Sequence, residues 1–262
     1  MGVQQPPGPA LVTGATRGIG RAVVETLARR GHPVFLAARD AEQVAATVKE
    51  LRGQGLTADG AACDVRSRDE VRGWVAAAVE RYGPAEVLVN NAGRGGGGVT
   101  ADLPDETWYD VIDTNLNSVF LVTREVLTTG RMRERERGRI ISIASTGGKQ
   151  GVLYGAPYSA SKHGVVGFTK ALGLELAKTG ITVNAVCPGY VETPMAEGVR
   201  RGFAGLWNVT EQEVLERFLA KIPLGRYTEP AEVAAFVGFL VTDEAAPITA
   251  QALNICGGLG TY

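Results

Sequence analysis

The stretch Ala10-Leu11-Val12-Thr13-Gly14-Ala15-Thr16-Arg17-Gly18-Ile19-Gly20 decides how this chain is read. A short apolar run enters a turn with three glycines and leaves into a helical pattern. Glycines after a first strand let the chain turn sharply and let its backbone approach a pyrophosphate. The helix that follows presents free N–H groups and a favourable dipole to the anion. The spacing is Gly-x-x-x-Gly-x-Gly rather than Gly-x-Gly-x-x-Gly. Three glycines in a turn are weak evidence alone; their place between strand one and a helix gives the reading its weight.

Working outward, further short apolar runs lie at residues 33–37, 56–63, 86–90, 139–144, 181–187 and 248–255. Helical patterns separate them. Asp40-Ala41-Glu42-Gln43 and Ser67-Arg68-Asp69-Glu70 fit the capping box. After Ser67, the residues Val71, Trp74, Val75, Ala78 and Val79 share one helical face. Seven strands alternating with about six helices imply a parallel sheet covered on both faces. Crossovers of this length are right-handed. The expected fold is α/β: one Rossmann-like, doubly wound domain over residues 1–262, with seven parallel strands and helices on both faces. Residues 193–226 exceed an ordinary crossover. They hold Phe203, Leu206 and Trp207, then a capping box, Thr210-Glu211-Gln212-Glu213, heading a helix through Val214, Leu215, Phe218, Leu219 and Ile222. An insertion of that length reads as a helical lid.

Composition narrows the function. The 262 residues carry a net charge of −1, which argues against nucleic acid or an anionic membrane as main partner. Apolar residues make up 45%, enough to fill a large core, yet no run reaches the length of a membrane helix. Met1 to Pro9 lacks the features of a signal peptide, so a cytoplasmic protein is expected. Cys63, Cys187 and Cys256 are too scattered for a metal site or a disulfide framework, and small buried thiols are the expected reading. The charge-dense residues 131–139 read as a solvated helix end and turn. His163 reads as a packing or surface residue, and His32 as a turn residue without a role.

Strand two ends at Arg39, where an acidic residue would favour NAD. A guanidinium suits a 2′-phosphate through bidentate bonds, and Arg17 offers a second clamp, so NADP is favoured. The adjacent Asp40 is accounted for by its capping role. Asp64 either accepts from an adenine amino group or is a simple loop acid. Strand five ends at Ser145, and thirteen residues on comes Tyr158-Ser159-Ala160-Ser161-Lys162. Tyr158 and Lys162, four apart, share a helical face. Tyrosine is a proton donor with an ordinary pKa near 10, and a nearby ammonium lowers it. Ser145 would hold a carbonyl oxygen for protonation.

Together, Thr13-Gly14-x-x-x-Gly18-x-Gly20, Asn90-Asn91-Ala92-Gly93, Ser145 and Tyr158-x-x-x-Lys162 resemble the short-chain dehydrogenase/reductase superfamily over the whole chain. The stretches 145–151, 158–193 and 250–258 resemble more closely the ketoreductases of bacterial aromatic (type II) polyketide synthases. The resemblance implies Asn115 as a fourth catalytic residue, holding a water beside Lys162; an amide satisfying a bulge in its own helix is the plainer alternative. It implies that Thr13, Gly14, Thr16, Arg17, Gly18, Ile19, Gly20, Arg39, Asp64, Val65, Asn91, Ala92 and Gly93 line NADP. Tyr158 and Lys162 would contact it as well, and Pro188, Gly189, Val191 and Thr193 would surround the nicotinamide carboxamide. The implied substrate is a poly-β-ketone tethered to an acyl carrier protein and reduced at C9. Arg94, Gly95, Gly96, Gln150, Val152, Phe203 and Trp207 would contact it, with Phe218 as a further wall. A homotetramer is implied, built through the long helices after strands four and five and the C-terminal strand region. One departure is the absence of the proline that often follows the arginine: here Arg94 is followed by Gly95 to Gly98, whose conformational freedom leaves the product configuration open. Arg94, Arg39 and Arg66 would instead meet an acidic carrier protein or its phosphopantetheine phosphate. A 3-oxoacyl-carrier-protein reductase and a non-catalytic dinucleotide-binding regulator are the competing readings.

Overall fold

A computed structural model describes residues 6–262. The first part of the Met1–Pro9 stretch therefore lies outside the described residues. The elements in order are β1 (Ala10–Thr13), α1 (Gly18–Arg29), β2 (Val34–Ala38), α2 (Ala41–Gly53), β3 (Ala58–Ala62), α3 (Arg68–Tyr82) and β4 (Val87–Asn90). Then come α4 (Asp105–Ile112), α5 (Ser118–Leu127), β5 (Gly138–Ile143), α6 (Ala156–Leu176), β6 (Ile181–Pro188), α7 (Pro194–Trp207), α8 (Glu211–Leu219), α9 (Pro230–Leu240) and β7 (Ala252–Ile255). The strands form one parallel sheet in the order β3-β2-β1-β4-β5-β6-β7. The order reverses at β1, so the loops after β1 and β4 part at the carboxyl edge, where open α/β sheets bind ligands.

The central strands read as largely apolar because both faces are covered, while the edge strands β3, with Asp59, and β7, with Asn254, are only partly buried. Ala10, Val12, Val34, Leu36, Val87, Val89, Ile141 and Ile143 pack with the residues of α1, α2 and α9 on one face. Leu11, Phe35, Leu88 and Ile140 alternate with them and pack with α3, α5 and α6 on the other. Val71, Trp74, Val75 and Ala78 are the buried stripe of α3, with Val79 at its margin.

Local signals fared unevenly. Thr210 and Glu213 form a reciprocal capping box at α8, and Glu229 with Glu232 forms one at α9 that the sequence reading missed. Asp40 and Ser67 cap α2 and α3, but the return contacts differ: Gln43 reaches the Asp40 carboxylate, and Glu70 accepts from the Asp64 N–H. The last strand is shorter than residues 248–255. Thr249 Oγ1 accepts from the Val183 N–H, Ala250 takes a left-handed φ of 59°, and only Ala252–Ile255 pairs with β6.

The charged residues 131–139 are solvated only in part: Arg131, Arg133, Glu134 and Glu136 are exposed. Arg139 is 3% exposed, and Glu86, 2% exposed, lies under Arg135 and Arg137 at the amino edge of the sheet. Arg137 also pairs with Asp243. His32 is likewise buried, its Nδ1 2.7 Å from the Gly8 carbonyl oxygen, and burial lowers its pKa. The Glu86 carboxylate also accepts from the Gly8 N–H, so it joins three chain segments. Replacing Glu86 with Ala should cost about 2 kcal/mol in urea unfolding, less than the ~3–5 kcal/mol of a fully buried pair, because both arginines are partly exposed.

Candidate active site

The site is assembled at the carboxyl edge from four loops. After β1 the chain turns at Gly14, with φ of 62°, and a Cβ there would sit 2.8 Å from Ala92 Cα. The turn is bolted to the end of β4. Thr13 Oγ1 accepts from the N–H groups of Asn91 and Ala92, both at 3.0 Å. Asn91 Nδ2 donates to the carbonyls of Thr13 (3.0 Å) and Gly14 (2.9 Å). The Asn91 side chain is thus spent on holding the turn. Gly18, with φ of 53°, faces Thr193, whose Cγ2 would lie 3.3 Å from an added Cβ. Thr193 caps α7 through the Ala196 N–H, Val191 bridges to Thr228, and the N–H of Gly189, just past Pro188, donates to Ile255.

The fit to a dinucleotide shows in this geometry. The N-cap of α1 is Arg17, whose side chain makes no capping bond, so the N–H groups of the first turn at Gly18, Ile19 and Gly20 face the turn without a side-chain cap. Arg17 and Arg39 are exposed and have no side-chain partner among the described residues. Asp40, beside Arg39, is consumed by the N–H groups of Glu42 and Gln43 and by the Gln43 amide. Thr16 Oγ1 lies 3.4 Å from Gln43 Oε1. Val65 is buried, and Asp64 is held below the usual carboxylate range by the hydrogen-bonded Arg66 guanidinium.

On the other side of the cleft stand Ser145, Tyr158 and Lys162. Ser145 ends the loop from β5, and its Oγ accepts from the Gly147 N–H at 3.0 Å. Its hydroxyl also favours the Tyr158 phenolate. Lys162, 6% exposed, donates to the Ile143 carbonyl at 2.8 Å, and its Nζ is 5.9 Å from the centre of the Tyr158 ring. The expectation that the ammonium lowers the phenol pKa is corrected here. Burial pushes Tyr158 up, the Ser145 hydrogen bond opposes it, and burial brings Lys162 down to about 8. The surroundings that disfavour phenolate also disfavour the ammonium.

Asn115 is fully buried in a widened π-helical turn, Asp113–Asn117, between α4 and α5. Its amide serves the loop after β4 rather than its own helix. Oδ1 accepts from the Arg94 N–H at 2.8 Å, while Nδ2 donates to the Arg94 carbonyl at 3.0 Å and to Ser161 Oγ at 3.1 Å. Asn115 Oδ1 and Lys162 Nζ converge on Gly93, 3.3 and 3.6 Å from where its Cβ would be.

The glycine row has a steric cause. None of Gly95 to Gly98 adopts a positive φ. A Cβ at Gly96 would lie 2.5 Å from Val111 Cγ2, and one at Gly97 would collide with the Tyr154 carbonyl, which accepts from the Gly98 N–H at 2.8 Å. Gly95 alone stands in open space. Arg94 and Arg66 are not free charges: both pair with Asp110, and Arg66 also with Asp64. Only Arg39 of the three remains without a partner among the described residues. In the 193–226 segment, Phe203, Trp207 and Phe218 pack on one another, with ring centres 4.7 to 6.1 Å apart, and Tyr190 stacks on Phe218. Phe218 is buried, so it is a core ring and not a pocket wall. Met195, Val199 and Leu206 of α7 are exposed instead, as are Gln150 and Val152 of the loop after β5. Asp110 and Ser161 were missed; nothing in their local sequence marks them. A recess of about 1170 Å³ lies at the opposite, amino edge and is lined by Arg30, His32, Glu86, Arg135 and Arg137, far from this chemistry. His163 is exposed, and the three cysteines are buried and unpaired.

The fold and the site define the class. The short chain dehydrogenase family model matches residues 9–203, and the chain belongs to that family. Among its relatives is the protein named as a ketoacyl reductase of the monensin polyketide synthase in Streptomyces virginiae, 68% identical and covering 97% of each chain. Its counterpart for granaticin in Streptomyces violaceoruber is 65% identical, over 97% of this chain and 93% of the relative. A solved structure of a variant actinorhodin polyketide ketoreductase with NADPH is 60% identical, with a TM-score of 0.95 and complete coverage of both chains. The 3-oxoacyl-[acyl-carrier-protein] reductase of Vibrio cholerae is 37% identical, over 95% of this chain and 96% of the relative. No helix among the described residues is long and apolar enough to cross a membrane.

Lys162 illustrates the cost of such a site. Its pKa in the folded chain lies below its ordinary 10.5, so stability is reduced below about pH 8 and recovers as pH rises from 8 towards 10.5. Lys162→Met should therefore raise stability near pH 7 by about 1–3 kcal/mol and flatten that alkaline rise, as read by urea unfolding at several pH values.

Proposed function

We propose that this chain is an NADPH-dependent ketoreductase that reduces one carbonyl of an acyl-carrier-protein-bound poly-β-ketone in aromatic polyketide biosynthesis. The observation that carries the reading is the placing of Ser145, Tyr158 and Lys162 across the carboxyl-edge cleft from the glycine turn. The similarity to polyketide ketoacyl reductases, at 62–68% identity, supports the substrate class over the fatty-acid reductase at 37%. The complete catalytic set weighs against a non-catalytic regulator. The described residues 6–262 are read as this one domain, with residues 193–226 as its substrate lid. C9 as the reduced carbon and a homotetramer follow the family resemblance.

NADPH would lie with its pyrophosphate over Gly14, Thr16, Gly18, Ile19 and Gly20 and its 2′-phosphate between Arg17 and Arg39. Asp64 and Val65 would flank the adenine, and Asn91, Ala92, Gly93, Pro188, Gly189, Val191 and Thr193 would border the rest. The bound nicotinamide supplies the hydride. Ser145 holds the ketone oxygen, and Tyr158 delivers a proton to it. Burial suits this step, since it keeps the phenol protonated at neutral pH. Lys162, brought to about 8, sits close to neutrality and passes protons at little cost. Lys162 returns a proton to the phenolate and is itself reprotonated by a water that Asn115 would hold beside it. Arg94, Gly95, Gly96, Gln150, Val152 and the exposed residues of α7 border the ketone chain. Phe203 and Trp207 act on it chiefly by shaping α7.

Tyr158→Phe should bind NADPH as the parent does and lose at least about 100-fold in kcat; unchanged reduction would refute the mechanism. Arg39→Ala should raise KM for NADPH by about 10- to 100-fold, the ~1.5–3 kcal/mol of a charged hydrogen bond, and leave KM for NADH unchanged. Turnover of a bulky bicyclic ketone should exceed that of a short linear β-ketothioester; the reverse preference would favour the fatty-acid reading.

A further inference from the structure

The mechanism leaves one well-anchored side chain unused. Ser145 sits at the start of a tight turn, Thr146–Gly148, that is wedged against α6. A Cβ at Gly147 would lie 3.2 Å from Tyr158 Cε1, and one at Gly148 would lie 2.6 Å from the Lys162 carbonyl. The inner side of the turn is therefore set by the two residues with which Ser145 must align. Its outgoing end leads into Gln150 to Tyr154, which are all exposed. Lys149 closes the turn, its N–H donating to Thr146.

The Lys149 ammonium spends all three of its protons on distant parts of the chain. It donates to the Ala252 carbonyl at 3.0 Å, to Asn254 Oδ1 at 2.9 Å and to the Tyr262 carbonyl at 2.7 Å. It also lies 5.3 Å from the centre of the Tyr262 ring, within cation–π range. Asn254 completes the clamp, its Nδ2 donating to the carbonyls of Gly260 and Tyr262. A lysine loses ~1.5–2 kcal/mol of rotamer freedom when held like this. Three charge-assisted hydrogen bonds and a ring face offset that.

We infer that Lys149 is a positioning residue for Ser145: it clamps the outgoing end of the Ser145 turn to β7 and to residues 256–262, fixing the serine hydroxyl against Tyr158. It is not catalytic itself, because protein oxygens occupy every proton it has. Without the clamp the turn keeps its contacts with α6 but is free to slide along them. A displacement of about 1 Å in a reacting or orienting group costs up to ~100-fold in rate.

The activity part of the test rests on the ketoreductase reading; a second part does not. In the full-length protein, Lys149→Met should lower kcat for a bicyclic ketone by about 10- to 100-fold, with KM for NADPH changed less than about twofold. Lys149→Arg, which reaches the same oxygens, should recover most of the loss. Independently of turnover, the Tyr158 phenol should titrate at higher pH in Lys149→Met than in the parent, because a displaced Ser145 no longer stabilises the phenolate. This is read by tyrosinate difference absorbance against Tyr158→Phe. An unmoved phenol titration in a folded Lys149→Met overturns the proposal, as does an arginine variant no better than the methionine one. A parent protein that reduces no ketone with NADPH overturns the ketoreductase reading instead, and the phenol titration then decides the role of Lys149 by itself.

Discussion

The structure depends on the junction between the end of β1 and the end of β4. Thr13 and Gly14 accept four hydrogen bonds there from Asn91 and Ala92, 77 to 79 residues further along the chain. Gly14 must pass so close to Ala92 that no side chain fits between them. This junction stands where the strand order reverses, so it both opens the cleft and fixes its floor. The glycine turn, the first turn of α1 and the loop carrying Gly93 take their positions from it. From Gly93 the geometry passes to Asn115 and Lys162, and from them to Tyr158 and Ser145.

The same packing sets the proton chemistry. The site is dry enough to push a phenol up and an ammonium down, which destabilises the folded chain and suits a donor that must keep its proton until a carbonyl arrives. At the amino edge, Glu86, Arg135 and Arg137 form a half-buried ionic knot with no part in the chemistry. The two edges of one sheet thus divide the work. The carboxyl edge holds groups whose charges are disfavoured, and the amino edge holds charges that satisfy one another.

Much of this was legible in the chain itself. The glycine turn before α1, the apolar runs of the seven strands, and the Tyr158 and Lys162 pair needed only local spacing. The errors share one cause. Arg135, Arg137 and Arg139 look like solvent residues in a charged run; only the fold shows that Glu86 lies beneath them. Gly95 to Gly98 suggest conformational freedom, yet Gly96 and Gly97 are demanded by Val111 and Tyr154, which lie on other elements. Arg66 and Arg94 look available for an anion until Asp110 is brought between them.

The alternation of strands and helices, the place of the cleft and the identity of the proton donor follow from patterns a few residues long, because turns, caps and helical faces are decided by neighbours in the chain. The ionic partners, the bond from Asn115 to Arg94 and the clamp of Lys149 on Asn254 were decided by tertiary structure alone. Each joins residues 16 to 113 positions apart, and a pairing at such a distance comes from where the packed sheet delivers the two groups, which no local pattern encodes.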